Sequence, residues 1–413
     1  MLSNYLPCQE APKHAVPELR SLVGKRNVED NASVSPDSQH ACGYGLPSLT
    51  AIRSSLGYVG WAHCQLNSKQ LVSSGAHMVM GFWKALLRLL MGLALLAPLP
   101  LHAEVVAIRV AHQPGLSYLP LMLMERYGLL PKHGRTLGLS DLAYKSVLVG
   151  SAAALNDVLL SNSADIIAGA ITVMAALSDR ARHLDIRGIA ALNCDAFYLN
   201  TNKPDIKTLR DFGSSDRIAV SAVKLSIHAI VLQMAAEKEF GPGRHTELDA
   251  LTVSMPHPEA MASLLATGTE VTAHITTTPF KKMELANPRI HRVLSSDSLV
   301  GGRATGAMVW TSGKFRAENP KAYAAFFDAL KEAIDIIRND PDHAARVYSE
   351  MENSKLDPVL IRALVADPED IFTMVPEHTF DFVDFMQRTG RLRGRFNGWK
   401  DLFFPEIHSQ PGS

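Results

Sequence analysis

Between Val106 and Thr278 the chain alternates short apolar runs with stretches of helical period, and this alternation restricts the fold more than any other feature. Val106 to Val110 alternates as a strand and leads into the loop His112-Gln113-Pro114-Gly115. Tyr118, Leu119, Met122, Leu123 and Tyr127 then fall at helical spacing, and Gly128 stops the helix. Leu142 to Val149 reads as a second strand, Gly150-Ser151 as a turn, Ala152 to Leu160 as a helix and Asp165 to Gly169 as a short buried strand. Strands and helices in this order predict parallel α/β units joined by right-handed crossovers.

A second unit of the same kind begins past the middle. Phe197 to Thr201 is a strand, Lys207 to Phe212 a short helix and Arg217 to Val220 another strand. Ser226 opens a helix through Ile227, Ile230, Val231 and Met234. Leu251 to Val253 is the next strand, and His257-Pro258-Glu259 starts a helix that runs to Gly268, with proline and an acid in its first turn. Val271 to Ile275 is a strand ending in Thr276-Thr277-Thr278-Pro279. The last third is helical. Asn319-Pro320, Asp340-Pro341 and Asp357-Pro358 are three copies of one start signal, a capping residue followed by proline at the first helical position. Tyr323, Phe326, Phe327, Leu330, Ile334 and Ile337 form an apolar stripe along the first of these helices.

The run LLRLLMGLALLAPLPLHAEV, Leu86 to Val105, has the grammar of a secretory signal peptide. Lys84 and Arg88 supply positive charge, Leu89 to Ala97 is apolar, and Pro98 and Pro100 precede the small-residue site ending at Ala103. The apolar run is about half the ~20 residues a membrane-spanning helix needs. Residues 1–77 show no sustained period and hold Cys8, Cys42 and Cys64. They read as a mis-assigned or disordered extension, with synthesis starting at Met78 or Met80, and 78–103 as the export signal. Cys194 is then the only cysteine of the mature chain, which excludes a disulfide framework there. The 41 basic residues balance the 41 acidic ones, so neither nucleic acid nor an anionic membrane is indicated as a partner.

Five segments in sequence carry a family resemblance: RVAHQPGLSYLPLMLMERYGLLPKHG, LSNSADIIAG, IKTLRDF, MPHPEAMASLLATGTEVTAHITTTPF and ENPKAYAAFFDALKEAIDII. In this order they resemble the substrate-binding proteins of bacterial ABC importers, in the nitrate/sulfonate/taurine group that includes binders of thiamine-pyrimidine precursors. The resemblance implies an α/β, type II periplasmic binding fold with two lobes closing on a ligand. Lobe 1 would comprise 104–198 and 307–413, lobe 2 would comprise 199–306, and the crossings would lie near Leu199 to Thr201 and Ala307 to Thr311. It also implies a periplasmic monomer that delivers a small polar or anionic solute to a permease and its ATPase. A sensor that presents its closed form to a membrane receptor, and an enzyme of the pyrimidine-precursor synthase type on the same scaffold, are the alternatives.

In open α/β sheets ligands sit beyond the carboxyl ends of strands, where helix N-termini point free N–H groups. That rule selects Gln113, Gly115, Ser117, Tyr118, Gly150, Ser151 and Thr172 from one lobe, and Ser226, His228, His274, Thr276 and Thr277 from the other. These loops are rich in hydroxyls, glycine and imidazole and nearly free of acid, which suits an anionic or polar ligand and argues against a cation. His274 is either a donor to the ligand or a structural histidine bonded to a neighbouring loop, and each Ser or Thr either meets the ligand or caps its own helix. No catalytic residue, cofactor or metal is expected. There is no G-x-S-x-G, and Gly301 to Gly306 lacks the Lys-Ser/Thr of a phosphate loop and reads as a loop before the second crossing strand. The histidines do not form H-x-x-x-H, and Cys194 sits in a strand-like setting.

If the export reading holds, the protein recovered from the periplasm begins at Glu104, and expression from Met78 or Met80 yields the same product. N-terminal sequencing checks this, and any exported soluble form that begins before Leu86 defeats it.

Overall fold

The computed structural model describes residues 103–413 together with Phe82, Trp83 and Leu86. The expected extension and nearly all of the export signal lie outside the described residues. The chain runs β1 (Ala107–His112), α1 (Leu119–Arg126), α2 (Leu129–Thr136), β2 (Ala143–Leu148), α3 (Ala152–Leu160), β3 (Ile166–Gly169), α4 (Ile171–Arg180) and β4 (Arg187–Asp195). It continues as β5 (Tyr198–Thr201), β6 (Ile218–Val220), α5 (Ile227–Phe240), β7 (Thr252–Ser254), α6 (His257–Leu265), β8 (Ala273–Thr276), α7 (Phe280–Leu285), β9 (His291–Ser295) and α8 (Asp297–Val300). Then follow β10 (Ala304–Thr311), α9 (Gly313–Glu318), α10 (Pro320–Asn339), α11 (Pro341–Met351), α12 (Pro358–Val365), β11 (Ile371–Phe372), α13 (Thr379–Arg388) and α14 (Trp399–Leu402).

Two sheets organise these elements, a six-stranded one in the order β11-β4-β10-β3-β1-β2 and a five-stranded one in the order β7-β6-β8-β5-β9. The parallel α/β units lie where the alternation places them. β1 pairs in parallel with β2 and β3, and β6 pairs in parallel with β7 and β8. The sheets are mixed, however. β10 is antiparallel to both β3 and β4, and β5 is antiparallel to both β8 and β9. These two strands are the ones that enter a sheet directly from the other lobe, so no helical crossover turns them round.

The chain leaves the first sheet after Asp195 and joins the second at Tyr198, so Ala196 and Phe197 form one crossing. It returns through residues 301–303 before β10. Leu199 to Thr201 and Ala307 to Thr311, expected at the crossings, are full strand residues of β5 and β10. Gly306 likewise lies within β10 instead of in a loop. Its strand character is compatible with glycine because a Cβ there would come within 2.7 Å of an Asp195 carboxylate oxygen.

Of the four helix caps the sequence proposes, three act locally. Ser226, Asp340 and Asp357 each accept from a backbone N–H in the first turn of their helices. Asn319 does not cap α10; its side-chain oxygen takes the Val105 N–H at 2.9 Å instead. The free N–H groups of Lys321 and Ala322 are satisfied by the Glu104 carboxylate, at 3.1 and 2.6 Å. The start of the described chain is thereby tied to α10, and an acid at a helix N-terminus is favoured by the helix dipole. On the apolar stripe of α10, Tyr323, Phe326, Leu330, Ile334 and Ile337 are buried against the first lobe, while Phe327 is only partly covered. Among the described residues no helix is long and apolar enough to cross a membrane.

Phe326 has no exposed surface. Phe326→Ala is expected to cost about 3–5 kcal/mol through lost burial and the cavity left behind. Lys331→Ala removes only the exposed pair with Asp335 and should cost less than about 0.5 kcal/mol. Urea unfolding with an unchanged m value is the measurement; equal effects of the two substitutions would contradict the packing described.

Candidate functional site

A cleft opens where the carboxyl ends of β1, β3, β6, β7 and β8 face one another across the two lobes, and it holds about 610 Å³ of empty space including its mouth. From the first lobe Gln113, Gly115, Ser117 and Tyr118 form one wall, continued by Ala152 and Ala170. Gly115 adopts φ +137°, a conformation that side chains rarely take, and this lets the loop turn from β1 into the 3-10 turn that carries Ser117 and Tyr118. The second lobe contributes Ser226 and His228 at the start of α5, His257 at the start of α6, and Thr277 and Phe280 around the start of α7. Phe197, from the crossing, and Gly306, from β10, complete it.

Seven of the residues selected from sequence therefore line the cleft: Gln113, Gly115, Ser117, Tyr118, Ser226, His228 and Thr277. The other five do not. Gly150 and Ser151 stand at the start of α3, where Ser151 accepts from the Ala154 N–H at 3.3 Å as a helix cap. Thr172 is fully buried, and its hydroxyl has no hydrogen-bond partner among the described residues. Thr276 is fully buried, with its hydroxyl 3.4 Å from His257 Nδ1. His274 has no exposed surface; its Nδ1 lies 2.5 Å from Glu284 Oε1 and its Nε2 lies 2.8 Å from His257 Nδ1. It is the histidine bonded to its neighbours, and His257 stands between it and the cleft.

His257 and Phe280 went unselected although both follow the rule that selected the others, since each lies just beyond the carboxyl end of a strand and starts a helix. Ser221, next after β6, follows the same rule, whereas Phe197 and Gly306 carry no such signal, because the path between the lobes is not visible in local pattern.

Aromatic and imidazole rings shape the interior. His228 meets Phe197 edge-on at 5.3 Å and His257 at 4.5 Å, and His257 stacks on Phe280 at 5.6 Å. Burial lowers the His228 pKa to about 3, with His274 adding to the effect. His257 is also held well below the ordinary range, by burial first and then by His228 and His274. Both rings are therefore neutral near neutral pH. His228 Nδ1 is 3.2 Å from the Ser221 hydroxyl, while its buried Nε2 has no partner among the described residues. Burial raises the pKa of Tyr118, whose phenol stays protonated and able to donate. Among the described residues no Lys, Arg, Asp or Glu side chain lines the cleft.

Charged groups gather instead behind it, at the first crossing. Lys281, fully buried on α7, reaches Asp370 at 2.5 Å and the Ala196 carbonyl at 2.8 Å. Thr278 donates to the same Asp370, and Thr277 donates to Asp195. Asp195 ends β4 and Asp370 precedes β11 in the six-stranded sheet, whereas Thr277, Thr278 and Lys281 follow β8, so this cluster joins the lobes. On a second side Arg391, after α13, donates to the Lys224 carbonyl at 2.7 Å and to the Gln233 side chain. Cys194, on β4, is buried, and burial pushes its thiol up to about 12. Among the described residues no group of three or more His, Cys, Asp or Glu could hold a metal ion.

Solved structures with the same architecture give the fold its name. The alkanesulfonate-binding protein SsuA from Xanthomonas axonopodis pv. citri, bound to MOPS, is 15% identical with a TM-score of 0.55, over 71% of this chain and 96% of that one. The periplasmic nitrate-binding protein NrtA from Synechocystis PCC 6803 is 16% identical with a TM-score of 0.57, over 71% and 84%. A Candida albicans protein described as having the generic periplasmic binding protein fold is 17% identical, TM-score 0.55, over 70% and 92%. This chain has the two-lobe periplasmic binding protein fold. No protein-family model matches it, and no curated protein matches it in sequence.

Asp195 is fully buried, and burial, opposed by Lys281 and reinforced by Asp370, pushes its carboxyl up to about 6. A folded-state pKa above the unfolded one means the folded protein binds the extra proton. The resulting stability is present below about pH 4 and is lost as pH rises through about 6. Asp195→Asn should therefore flatten the stability profile across that window and compare more favourably with the parent at pH 7 than at pH 4. Chemical denaturation at a series of pH values checks this; an unchanged profile would contradict the assignment.

Proposed function

We propose that the chain is the solute-binding component of an ABC import system. It captures a small polar or anionic solute between its lobes and delivers it from the periplasm to a membrane permease driven by an ATPase. The observation that carries this reading is the composition of the cleft: hydroxyl, imidazole and aromatic groups from both lobes converge at strand carboxyl ends, with no fixed charge among the described lining residues. Such a site can satisfy a ligand's polar atoms from two sides, and ligand contacts made to both lobes favour closure. The likeness to sulfonate- and nitrate-binding proteins supports the same reading through the fold. Gln113, Gly115, Ser117, Tyr118, Ser226, His228 and Thr277 are the ligand contacts in this reading, with His257 added and His274 placed behind it.

A binding role in preference to catalysis is supported by the likeness to solute-binding proteins, and the His228 ring, 3.2 Å from the Ser221 hydroxyl, is a weak base because burial lowers its pKa to about 3. The thiol of Cys194 lies buried on β4, with its pKa raised.

Solute released by denaturing the purified protein should be chemically unchanged when returned to fresh protein. Its readdition should reduce the radius of gyration in small-angle scattering. It should also stabilise the fold by about 2.7 kcal/mol at a hundredfold excess over Kd. Ser117→Ala, which removes a hydroxyl from the cleft wall, is expected to weaken that binding by about 1–3 kcal/mol. Tight binding without compaction, or conversion of the solute, would overturn the reading.

A further inference from the structure

The Glu284–His274–His257 line runs from the core of the second lobe to the wall of the cleft. Glu284 is fully buried; Oε2 accepts from Asn200 Nδ2 at 2.9 Å, and Oε1 lies 2.5 Å from His274 Nδ1. His274 Nε2 lies 2.8 Å from His257 Nδ1, and His257 lines the cleft. With Glu284 ionised, and with any added positive charge resting on His274 beside it, this line has two arrangements. An ionised carboxylate accepts and cannot donate, so His274 Nδ1 carries a proton. One further proton lies between His274 Nε2 and His257 Nδ1.

If that proton belongs to His257, then His274 is neutral and the His257 ring presents a bare Nε2, a lone pair, to the cleft. If it belongs to His274, the His274 imidazolium is paired with Glu284, His257 Nδ1 accepts, and the single proton of His257 sits on Nε2 facing the cleft. The second arrangement holds one more proton than the first. Solvent supplies it to His257 Nε2 while the Nδ1 proton passes to His274 Nε2, so the added charge ends on His274 beside the carboxylate.

We propose that Glu284, His274 and His257 form a proton relay that sets whether the cleft offers a donor or an acceptor, and that an oxyanion binds there with uptake of one proton. The proposal rests on the solute-binding reading above and specifies its ligand chemistry. An anion entering a cleft without fixed cations, above a buried carboxylate, leaves two negative charges poorly compensated. Proton uptake removes that conflict and supplies the N–H the anion needs. The groups facing His257 agree with this. His228 on α5 is neutral, Phe280 on α7 is apolar, and Thr276 on β8 contributes a hydroxyl. Glu259, on α6 itself, is exposed, and Lys281 on α7 is engaged by Asp370. His228, whose buried Nε2 has no partner among the described residues, stands 4.5 Å from His257 and can meet the same ligand.

The test uses the full chain with nitrogen-labelled histidine and has two arms. Ring-nitrogen NMR without ligand should show the His257 proton on Nδ1 at alkaline pH and on Nε2 at acid pH, with His274 gaining a proton at the same midpoint. Glu284→Gln should displace that midpoint. A His257 proton that stays on Nδ1 throughout, or independent titration of the two rings, overturns the relay. Calorimetry with nitrate, methanesulfonate and benzoate, in Bis-Tris and in Tris, then counts protons. A bound probe should take up one proton and lose about tenfold in affinity per pH unit above the midpoint. His257→Gln, which cannot relay, should bind without that uptake and covers the case in which Glu284→Gln does not fold. Binding without proton uptake overturns the coupling. Failure of all three probes in a protein that shows the relay overturns the oxyanion assignment and leaves the solute-binding reading to the extracted-solute experiment.

Discussion

An ammonium group with no exposed surface must be compensated on the spot, and the Lys281 side chain meets that demand across the junction of the two lobes. Its partners, the Asp370 carboxylate and the Ala196 carbonyl, belong to the side of the six-stranded sheet and to the crossing, while Lys281 itself rides on a helix of the other lobe. Removing either partner would strand a charge in the interior, so the register between the lobes is held at this point. The neighbouring bonds from Thr277 to Asp195 and from Thr278 to Asp370 extend the same constraint to the turn that follows β8. That turn also lines the cleft. The position of the binding groups therefore follows from the compensation of one buried cation.

The cleft and this cluster divide the polar chemistry between them. Full charges lie behind the wall, where they are paired, and uncharged donors, acceptors and rings lie on it. His274 stands at the boundary, facing Glu284 on one side and His257 on the other. In the proposed relay, a residue placed there would transmit the protonation of the interior to the ligand without touching the ligand.

Much of the fold could be read from local pattern. Apolar alternation and helical period located β1, α1, β2, α3 and α6 within a few residues, and the fully buried β3, β6 and β8 showed as short apolar runs bounded by polar or turn residues, with α5 and β7 placed beside them. α4 and β4 were not separated in the sequence; both are apolar on nearly every side, and a uniformly buried segment has no period to detect. The antiparallel course of β5 and β10 was hidden too, since direction within a sheet depends on where the chain has come from. Asn319 illustrates the same limit. It has the residue type and position of a helix cap, yet its oxygen goes to Val105, and the capping acid comes from Glu104, more than two hundred residues earlier. For the site, the rule of strand carboxyl ends found the loops but not the orientation of each side chain within them. Ser117 and His228 face the cleft, while His274 turns toward a glutamate ten residues further on that the rule had no means to weigh.

The absence of fixed charge from the cleft wall has a consequence for the rate of capture. Charged sites draw oppositely charged solutes from a distance, and that attraction weakens as ionic strength rises, with a screening length of about 8 Å at physiological salt. A wall of neutral hydroxyls and rings exerts little long-range pull. Encounter is then governed by diffusion and the width of the mouth, and selection takes place only after contact. Under the proposed solute-binding role, such a receptor would work at nearly the same rate in dilute and in saline surroundings, which would suit the periplasm proposed for it, whose small ions exchange with the outside.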